Sequence, residues 1–447
     1  MNRSDYNLAQ WLQWMEDNHP TEIDLGLARV GQVYQRMQLD LSATKVISIA
    51  GTNGKGSTTT FLETIYLAAD YTTLAYTSPH MLLYNERVRL NGVDVNDELL
   101  IAAFRAIDQA MGVDEQRISL SYFEIGTLAA IYLVSQQKPD IALLEVGLGG
   151  RLDAVNIIDA DVAVITTLAV DHIDWLGDDI EQIGREKAGI GRVGKPLVCG
   201  EIQPPKSIAQ LASEQAFALV QINQDYSYQT AQDQNSWSFT GVDLLGNKVT
   251  YQQLPMPNLP LQNAATALQV IEQLAMPCSY EARVKGLSAA KSLGRQQQVR
   301  YLDKNILLDV AHNPQSAQLL AHSLLKRGLQ GEVQFVLGVL IDKDAQGLML
   351  ALESVAAHWH FVTLDVYRGQ SALQLQEKSL ASNIDQHNVS CYQDMRSALE
   401  GALLKASASQ VADEEQNEHL VVVAGSFVTV AQVLALQGVE QKVLQVI

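Results

Sequence analysis

Residues 47–58 read Ile47-Ser48-Ile49-Ala50-Gly51-Thr52-Asn53-Gly54-Lys55-Gly56-Ser57-Thr58. A short apolar strand runs into a glycine-rich turn, and the segment after it, Ser57 to Ala69, has helical period with an apolar face. Strand, glycine turn and helix in that order predict a loop that wraps phosphate. Glycines let successive backbone N–H groups converge on the anion, and the helix start adds its positive end. Lys55 would neutralise the outer phosphates, and Ser57 would offer a hydroxyl to Mg2+. The spacing departs from the generic G-x-x-x-x-G-K-[ST], because Gly56 separates Lys55 from Ser57.

Working outward, short β-branched runs alternate with longer segments of helical period, which predicts parallel sheet covered by helices. Strands are expected at Lys45 to Ala50, Thr73 to Thr77, Asp140 to Glu145, Asp161 to Leu168 and Pro196 to Cys199. Glu98 to Met111 and Tyr122 to Gln136 read as helices between them. From Trp237 to Gln253 the pattern alternates around Leu245-Gly246-Asn247, the signature of a hairpin, and Leu261 to Leu274 follows as a helix. A second set of strands is expected at Asn305 to Val310, Val333 to Leu337, His360 to Leu364, Val389 to Tyr392 and His419 to Ala424. The fold class is therefore α/β: a phosphate-loop domain with a mostly parallel sheet, residues 1–294, then a smaller Rossmann-like α/β domain, residues 295–447. The acidic stretch Asp413 to Glu418 reads as a solvated loop.

Composition narrows the class of function. The chain has 447 residues, 47% hydrophobic and 18% charged, long enough for more than one core. Lys plus Arg number 31 against 50 Asp plus Glu, a net charge of −19, which repels nucleic-acid backbone and anionic lipid. Anionic substrates must therefore meet a local positive site. Cys199, Cys278 and Cys391 are far apart, so neither a disulfide framework nor a cysteine zinc site is indicated. No run approaches the about 18 apolar residues of a membrane helix, and the N-terminus carries acids where a signal peptide would be apolar. A cytoplasmic protein without nucleic-acid or membrane partners is expected.

Several polar residues sit where strands end. Glu145 closes the apolar run Ile141 to Leu144; a carboxylate there suits a metal, or a surface position, or a pair with Arg151. His172 follows the run Val162 to Leu168 between Asp171 and Asp174, a place where a histidine is often just a hydrogen-bonded loop residue. Lys187, in Arg185-Glu186-Lys187-Ala188-Gly189-Ile190, reads by itself as a surface lysine paired with Glu186 or Asp179. Asp309-Val310-Ala311-His312-Asn313-Pro314 ends a strand and starts a helix at Pro314, with Asp309 or Asn313 available as a cap. Tyr122, Phe123 and Glu124 open a helix on which Phe123 could equally be core.

The loop GTNGKGST resembles that of the Mur ligase superfamily, ATP-dependent enzymes that join a carboxylate to an amine. Further segments narrow the resemblance to its dihydrofolate synthase/folylpolyglutamate synthase branch: SPHMLLYNERVRLNG from Ser78, SYFEIGTLAA from Ser121, EVGLGGRLDAVN from Glu145 and DHIDWLGDDIEQIGREKAGI from Asp171. LQNAATAL from Leu261, DVAHNP from Asp309, GVLIDKD from Gly338 and AGSFVTVAQ from Ala424 continue it. Leu293-Gly294-Arg295-Gln296 departs from the family's usual Pro-Gly-Arg followed by a bulky apolar residue.

The resemblance implies addition of L-glutamate to dihydropteroate and to reduced folates, through an acyl phosphate. It implies ATP contacts at Gly54, Lys55, Gly56, Ser57, Asn263, Arg295, Asp309 and His312. Two Mg2+ ions are implied on Ser57, Ser78, Glu145, His172 and Lys187, the last as a carbamylated lysine, with Lys55, His172 and Lys187 serving catalysis. The pteroate slot is implied at Leu27, Ala28, Arg29 and Val30, at Ser121, Tyr122, Phe123 and Glu124, and at Arg151, Leu152 and Asp153. A monomer handling only small molecules is expected. The alternatives are another Mur-type amide ligase, argued against because only about 44 residues precede the first strand, and a P-loop ATPase switch that ligates nothing.

Overall fold

The computed structural model describes residues 3–19, 21, 24–412, 420–436 and 439–445. The chain divides into two compact units, Met1–Ala290 and Lys291–Ile447, so the break falls slightly ahead of the 294/295 boundary read from the sequence.

The first unit is built on eight strands: β1 (Lys45–Ala50), β2 (Thr73–Tyr76), β3 (Val88–Leu90), β4 (Val93–Asp94), β5 (Ile141–Glu145), β6 (Val162–Ile165), β7 (Pro196–Cys199) and β8 (Ala218–Gln221). Their order is β4-β3-β2-β5-β1-β6-β7-β8. All pairs are parallel except β2 with β3 and β3 with β4. The central strands are continuously apolar because helices cover both faces: Trp11, Phe104 and Leu128 pack on one face, Phe61, Ile65 and Leu268 on the other. β5 and β6 flank β1, with Ile49 opposite Glu145 and Ala50 opposite Ile165, so the loops leaving all three strands meet at one carboxyl edge.

The expected hairpin is present as β10 (Ser236–Val242) and β11 (Lys248–Pro255), joined by a third strand that the sequence reading missed, β9 (Ser227–Thr230). Asp243 sets its turn by accepting from the N–H groups of Leu245 and Asn247 at 2.9 and 2.8 Å. Helix Leu261–Gln273 packs beside it, Gln269 Nε2 donating to the Val242 carbonyl at 2.7 Å.

The second unit carries β12 (Gln297–Tyr301), β13 (Lys304–Leu308), β14 (Val333–Leu337), β15 (Ala356–Val362), β16 (Val389–Tyr392), β17 (Val421–Ala424) and β18 (Val439–Gln445), in the order β16-β15-β14-β17-β13-β12-β18. Five strands are parallel; β12 joins antiparallel to β13 and β18, and neither β12 nor β18 was expected. β15 starts at Ala356 rather than His360, because His358 and His360 are buried polar residues inside it. The acidic stretch Asp413 to Glu418 lies outside the described residues. Among the described residues no helix is long and apolar enough to cross a membrane.

Candidate functional site

The phosphate loop leaves β1 and enters helix Lys55–Ala68 at Gly54, whose φ of +87° places it in the left-handed region. A side chain there would be strained, and its Cβ would stand 2.8 Å from Asn263 Nδ2. Asn263 approaches this closely because its Nδ2 donates to Ser57 Oγ at 2.7 Å, while Ser57 Oγ donates to the Gly54 carbonyl at 3.0 Å. Two of the candidate nucleotide residues are thus joined directly although 206 positions separate them.

The loop is braced from β6. Thr166 Oγ1 and Thr167 Oγ1 donate to the Asn53 carbonyl at 2.7 and 3.0 Å, and Thr52 N donates to the Thr167 carbonyl at 2.7 Å. β6 ends at Ile165 and not at Leu168: past it Thr166 N still bonds the Ala50 carbonyl of β1, while the side chains of Thr166 and Thr167 turn to hold the loop.

Two ammonium groups converge on one loop carbonyl. Lys55 Nζ donates to Gly51 O at 3.1 Å and to Thr52 O at 3.3 Å, and Lys187 Nζ donates to the same Gly51 O at 3.1 Å. Lys187 is only 4% exposed, which removes the surface-lysine reading, and Glu186 is turned to Arg151 instead. Burial first, and then the charge of Lys55, pull the Lys187 amine down to about 7, against the opposing pull of Asp171, Asp153 and Glu186. Asp171 is a residue the sequence reading passed over. It is buried, accepts from the N–H of His172 at 2.8 Å, and its charge acts on Lys187. Its position beside a candidate histidine at the end of an apolar run was the available signal.

Glu145 is buried at the end of β5, and a Cβ built on Gly56 would lie 4.0 Å from its Oε2, so the carboxylate stands over the first turn of the loop's helix. It does not pair with Arg151, which belongs to Glu186. His172 begins the short helix Ile173–Leu176 with φ +52°, and Ser78 sits half-buried past the end of β2. Among the described residues no three His, Cys, Asp or Glu side chains are grouped to hold a metal. What the loop offers is oxygen, a hydroxyl at Ser57 and a carboxylate at Glu145. That donor set fits Mg2+, which takes one or two protein oxygens and fills its shell with water and phosphate.

The three segments expected to line a pteroate slot are stitched together. Gly26 N donates to the Leu152 carbonyl at 3.1 Å, and Arg29 Nη2 donates to Glu124 Oε1 at 3.1 Å while its Nη1 meets Asp24 Oδ2 at 2.7 Å. Glu124 is fully engaged, since its other oxygen accepts from Ser121 N at 2.7 Å in a capping box. Leu27 caps helix Ala28–Met37, whose Val30 is core. Phe123 is half-buried, its ring lying where a Cβ on Gly147 would come within 2.4 Å, and 6.1 Å from the Tyr76 ring. Asp153 is buried and accepts from Leu148 N and Val155 N, both at 2.9 Å. Burial pushes its carboxyl up to about 6, with those N–H groups and Lys55 holding it back. Glu186 fixes the same loop, accepting from Arg151 Nε at 2.9 Å and Leu152 N at 3.3 Å.

In the second unit Asp309 follows β13, buried, accepting from Gln296 N and Ala311 N at 3.0 and 2.8 Å. Burial raises its carboxyl, against the pull of Arg295. Arg295 lies 5.9 Å from the Phe427 ring and His312 6.3 Å from it, so Phe427, another residue not singled out from sequence, is the platform of this group. His312 Nδ1 sits 2.9 Å from the Val310 carbonyl, which can only accept, so that nitrogen carries the proton. Asn313 is the helix cap, accepting from Ser316 N at 3.0 Å.

Residues 49–196 match the Mur ligase middle domain, and residues 294–427 the Mur ligase glutamate ligase domain. The chain is 41% identical to the dihydrofolate synthase/folylpolyglutamate synthase of Escherichia coli (strain K12) over 427 residues, 96% of this chain and 94% of that one. It is 37% identical to the protein of the same name from Haemophilus influenzae, covering 96% of this chain and 97% of that one. Among solved structures, Escherichia coli FolC in complex with DHPP and ADP superposes with a TM-score of 0.87 at 39% identity, covering 97% of this chain and 98% of that one. The bifunctional enzyme of this kind with Mn, AMPPNP and L-glutamate bound gives a TM-score of 0.85 at 41% identity, covering 97% and 98%.

Proposed function

We propose that this chain, which belongs to the dihydrofolate synthase/folylpolyglutamate synthase family of Mur-type ligases, adds L-glutamate to dihydropteroate and to reduced folates at the expense of ATP. A carboxylate is a poor acyl donor. Transfer of the γ-phosphoryl group to a carboxylate oxygen releases ADP and gives an acyl phosphate; the glutamate amine then attacks its carbonyl carbon and phosphate leaves. The observation that carries this reading is the braced loop in which Lys55 and Lys187 meet at Gly51 with Glu145 over the first helical turn.

In that loop Lys55, with the N–H groups from Gly54 to Ser57, takes the phosphates and offsets the repulsion between two anions. Mg2+, held by Ser57, Ser78, Glu145, His172 and Lys187, would supply charge stabilisation of the transferred group. Lys187 would serve as a carbamate: an amine pulled down to about 7 is partly neutral at neutral pH, and the neutral amine is the form that adds CO2 with loss of a proton. Asn263, Arg295, Asp309 and His312 are assigned to the nucleotide. The stitched segments Leu27 to Val30, Ser121 to Glu124 and Arg151 to Asp153 are assigned to the pteroyl group, an aromatic body that needs apolar walls and a few polar groups. We assign the enzyme to the cytoplasm as a monomer. Its net charge of −19 disfavours nucleic acid and anionic lipid as partners.

The test follows ADP and product mass with ATP and Mg2+ and three acceptors: dihydropteroate, a reduced monoglutamyl folate and a UDP-linked muramyl compound. One glutamyl unit should be gained by both pterin compounds and by neither in the absence of glutamate. ADP release indifferent to acceptor and glutamate would make the protein a switch, and activity on the muramyl compound alone would overturn the folate assignment.

A further inference from the structure

The first unit holds four arginines near the candidate site, and three are neutralised by carboxylates. Arg29 meets Asp24 and Glu124, Arg89 meets Glu63, and Arg151 meets Glu186. Arg87 differs. It is 9% exposed, and among the described residues no carboxylate lies within ion-pair distance of it. Its neighbour Glu86 is turned away, its two oxygens accepting from the N–H groups of Met81, Leu82 and Leu83 at 2.6 to 2.8 Å.

The guanidinium is nevertheless placed with care. Its carbon stands 5.3 Å from the Tyr84 ring and 5.4 Å from the Tyr122 ring, and its Nε donates to His80 Nδ1 at 2.8 Å. His80 accepts this bond through a ring nitrogen and brings no negative charge to the guanidinium. The cation therefore lies between the loop that carries Ser78 and the start of the helix that carries Tyr122, oriented by two aromatic rings and the His80 ring nitrogen, with the Tyr76 hydroxyl also beside it. Burying a cation without an anion is costly, and side chains arranged to hold one so are a receptor for an anion that arrives later. On a chain of net charge −19, this is the local positive site that an acidic substrate requires.

Resting on the function proposed above, we infer that Arg87 binds the carboxylate of a glutamylated acceptor that is not ligated, and so favours folates over dihydropteroate. The ligated carboxylate is the wrong partner. It must attack phosphorus, and a bidentate guanidinium would withdraw the electrons that attack uses. Dihydropteroate carries only that one carboxylate. A folate brings a second one, which must be desolvated beside Tyr84 and Tyr122, and Arg87 is the group there whose planar fork matches it.

The experiment compares kcat/KM for dihydropteroate and for monoglutamyl tetrahydrofolate in the wild type, Arg87→Gln and Arg87→Lys. The ratio of folate to dihydropteroate activity should fall about 30- to 100-fold in Arg87→Gln, mainly through KM for the folate, and about tenfold in Arg87→Lys, the range of a lost charge-assisted hydrogen-bond pair. A second arm needs no variant: a folate whose unligated tail carboxylate is a carboxamide should lose a similar factor with the wild type. A ratio unchanged within threefold in folded Arg87→Gln, or a wild type indifferent to the carboxamide, would overturn the role of Arg87. A wild type that glutamylates neither acceptor would instead overturn the function on which this inference rests.

Discussion

Lys187→Met should make the protein more stable and inactive, and the size of the gain can be worked from the structure. The amine ionises near 10.5 in an unfolded chain and at about 7 in the folded one. Its folded value is lowered, so the folded state resists protonation and stability falls as pH drops from 10.5 towards 7. The penalty is about 3 kcal/mol at pH 8.5 and about 4 at pH 7, and levels off near 5 below pH 6. Met is close in length and carries no charge. Gly51 O loses one donor but keeps Lys55 Nζ at 3.1 Å, so no buried carbonyl is orphaned. In CO2-free buffer the variant should melt higher than the wild type by roughly 5 to 10 °C at pH 7, with the gap closing towards pH 10. Turnover should be lost if Lys187 acts as proposed, because Met cannot supply the oxygens of a carbamate. A variant that melts lower at every pH, or a gap that does not change with pH, would refute the view that burial beside Lys55 strains this amine.

Lys55→Ala should abolish turnover, read as ADP release, while leaving the melting transition within a few degrees, since the loop keeps its bonds from Thr166 and Thr167 and Gly51 O keeps Lys187 Nζ when the two bonds from Lys55 are lost. Glu145→Gln keeps the shape and removes a charge from an oxygen site, so titration of rate against Mg2+ should shift to higher concentration by tenfold or more. In Lys187→Ala, short-chain carboxylic acids should restore part of the activity by returning oxygens to the site, with the rate rising and saturating in acid concentration. In the second unit, His358 and His360 are buried with ring centres 4.7 Å apart, and burial lowers them to about 4 and about 3. Their folded values are lowered, so stability is lost as pH falls from 6.5 towards 4; hydrogen exchange over Ala356–Val362 should rise through that range, and His360→Gln should flatten the rise.

Strands buried on both faces were legible as continuous apolar runs, and the less buried β16 and the β10–β11 hairpin were legible from a β-branched run and from alternation. β1, β5, β7 and β14 fall where the runs fall. β12 was not legible: Gln297 is buried and bonds Gly294 N through its side chain, so the strand looks polar where it is inside. β9 is Ser-Tyr-Gln-Thr, largely exposed, and exists only because β10 pairs with it. The same mechanism displaced β15, whose histidines are satisfied by Gln334, Ser390 and Tyr392 on neighbouring strands.

Site residues were legible as identities and not as partnerships. Motif spacing picked out Lys55 and Ser57, the end of an apolar run picked out Glu145, and only the family resemblance singled out Lys187, yet the chemistry of these residues depends on partners distant in the chain. Ser57 is held by Asn263, and Lys187 reaches Gly51 across 136 positions. The electrostatics turn on this. A lysine read alone is a solvated cation; set beside Lys55 and out of water it becomes an amine near neutrality, and Asp153, moved into the same enclosure, becomes a carboxyl near 6. The two shifts share their leading cause, burial that penalises whichever form is charged, to which Lys55 adds at Lys187. They run in opposite directions, so near neutral pH the enclosure can shed charge without shedding either group. A nucleotide and its metal would change that balance on arrival, favouring the ionised carboxyl and a carbamate over an ammonium. The groups most strained here are thus those whose strain binding would relieve.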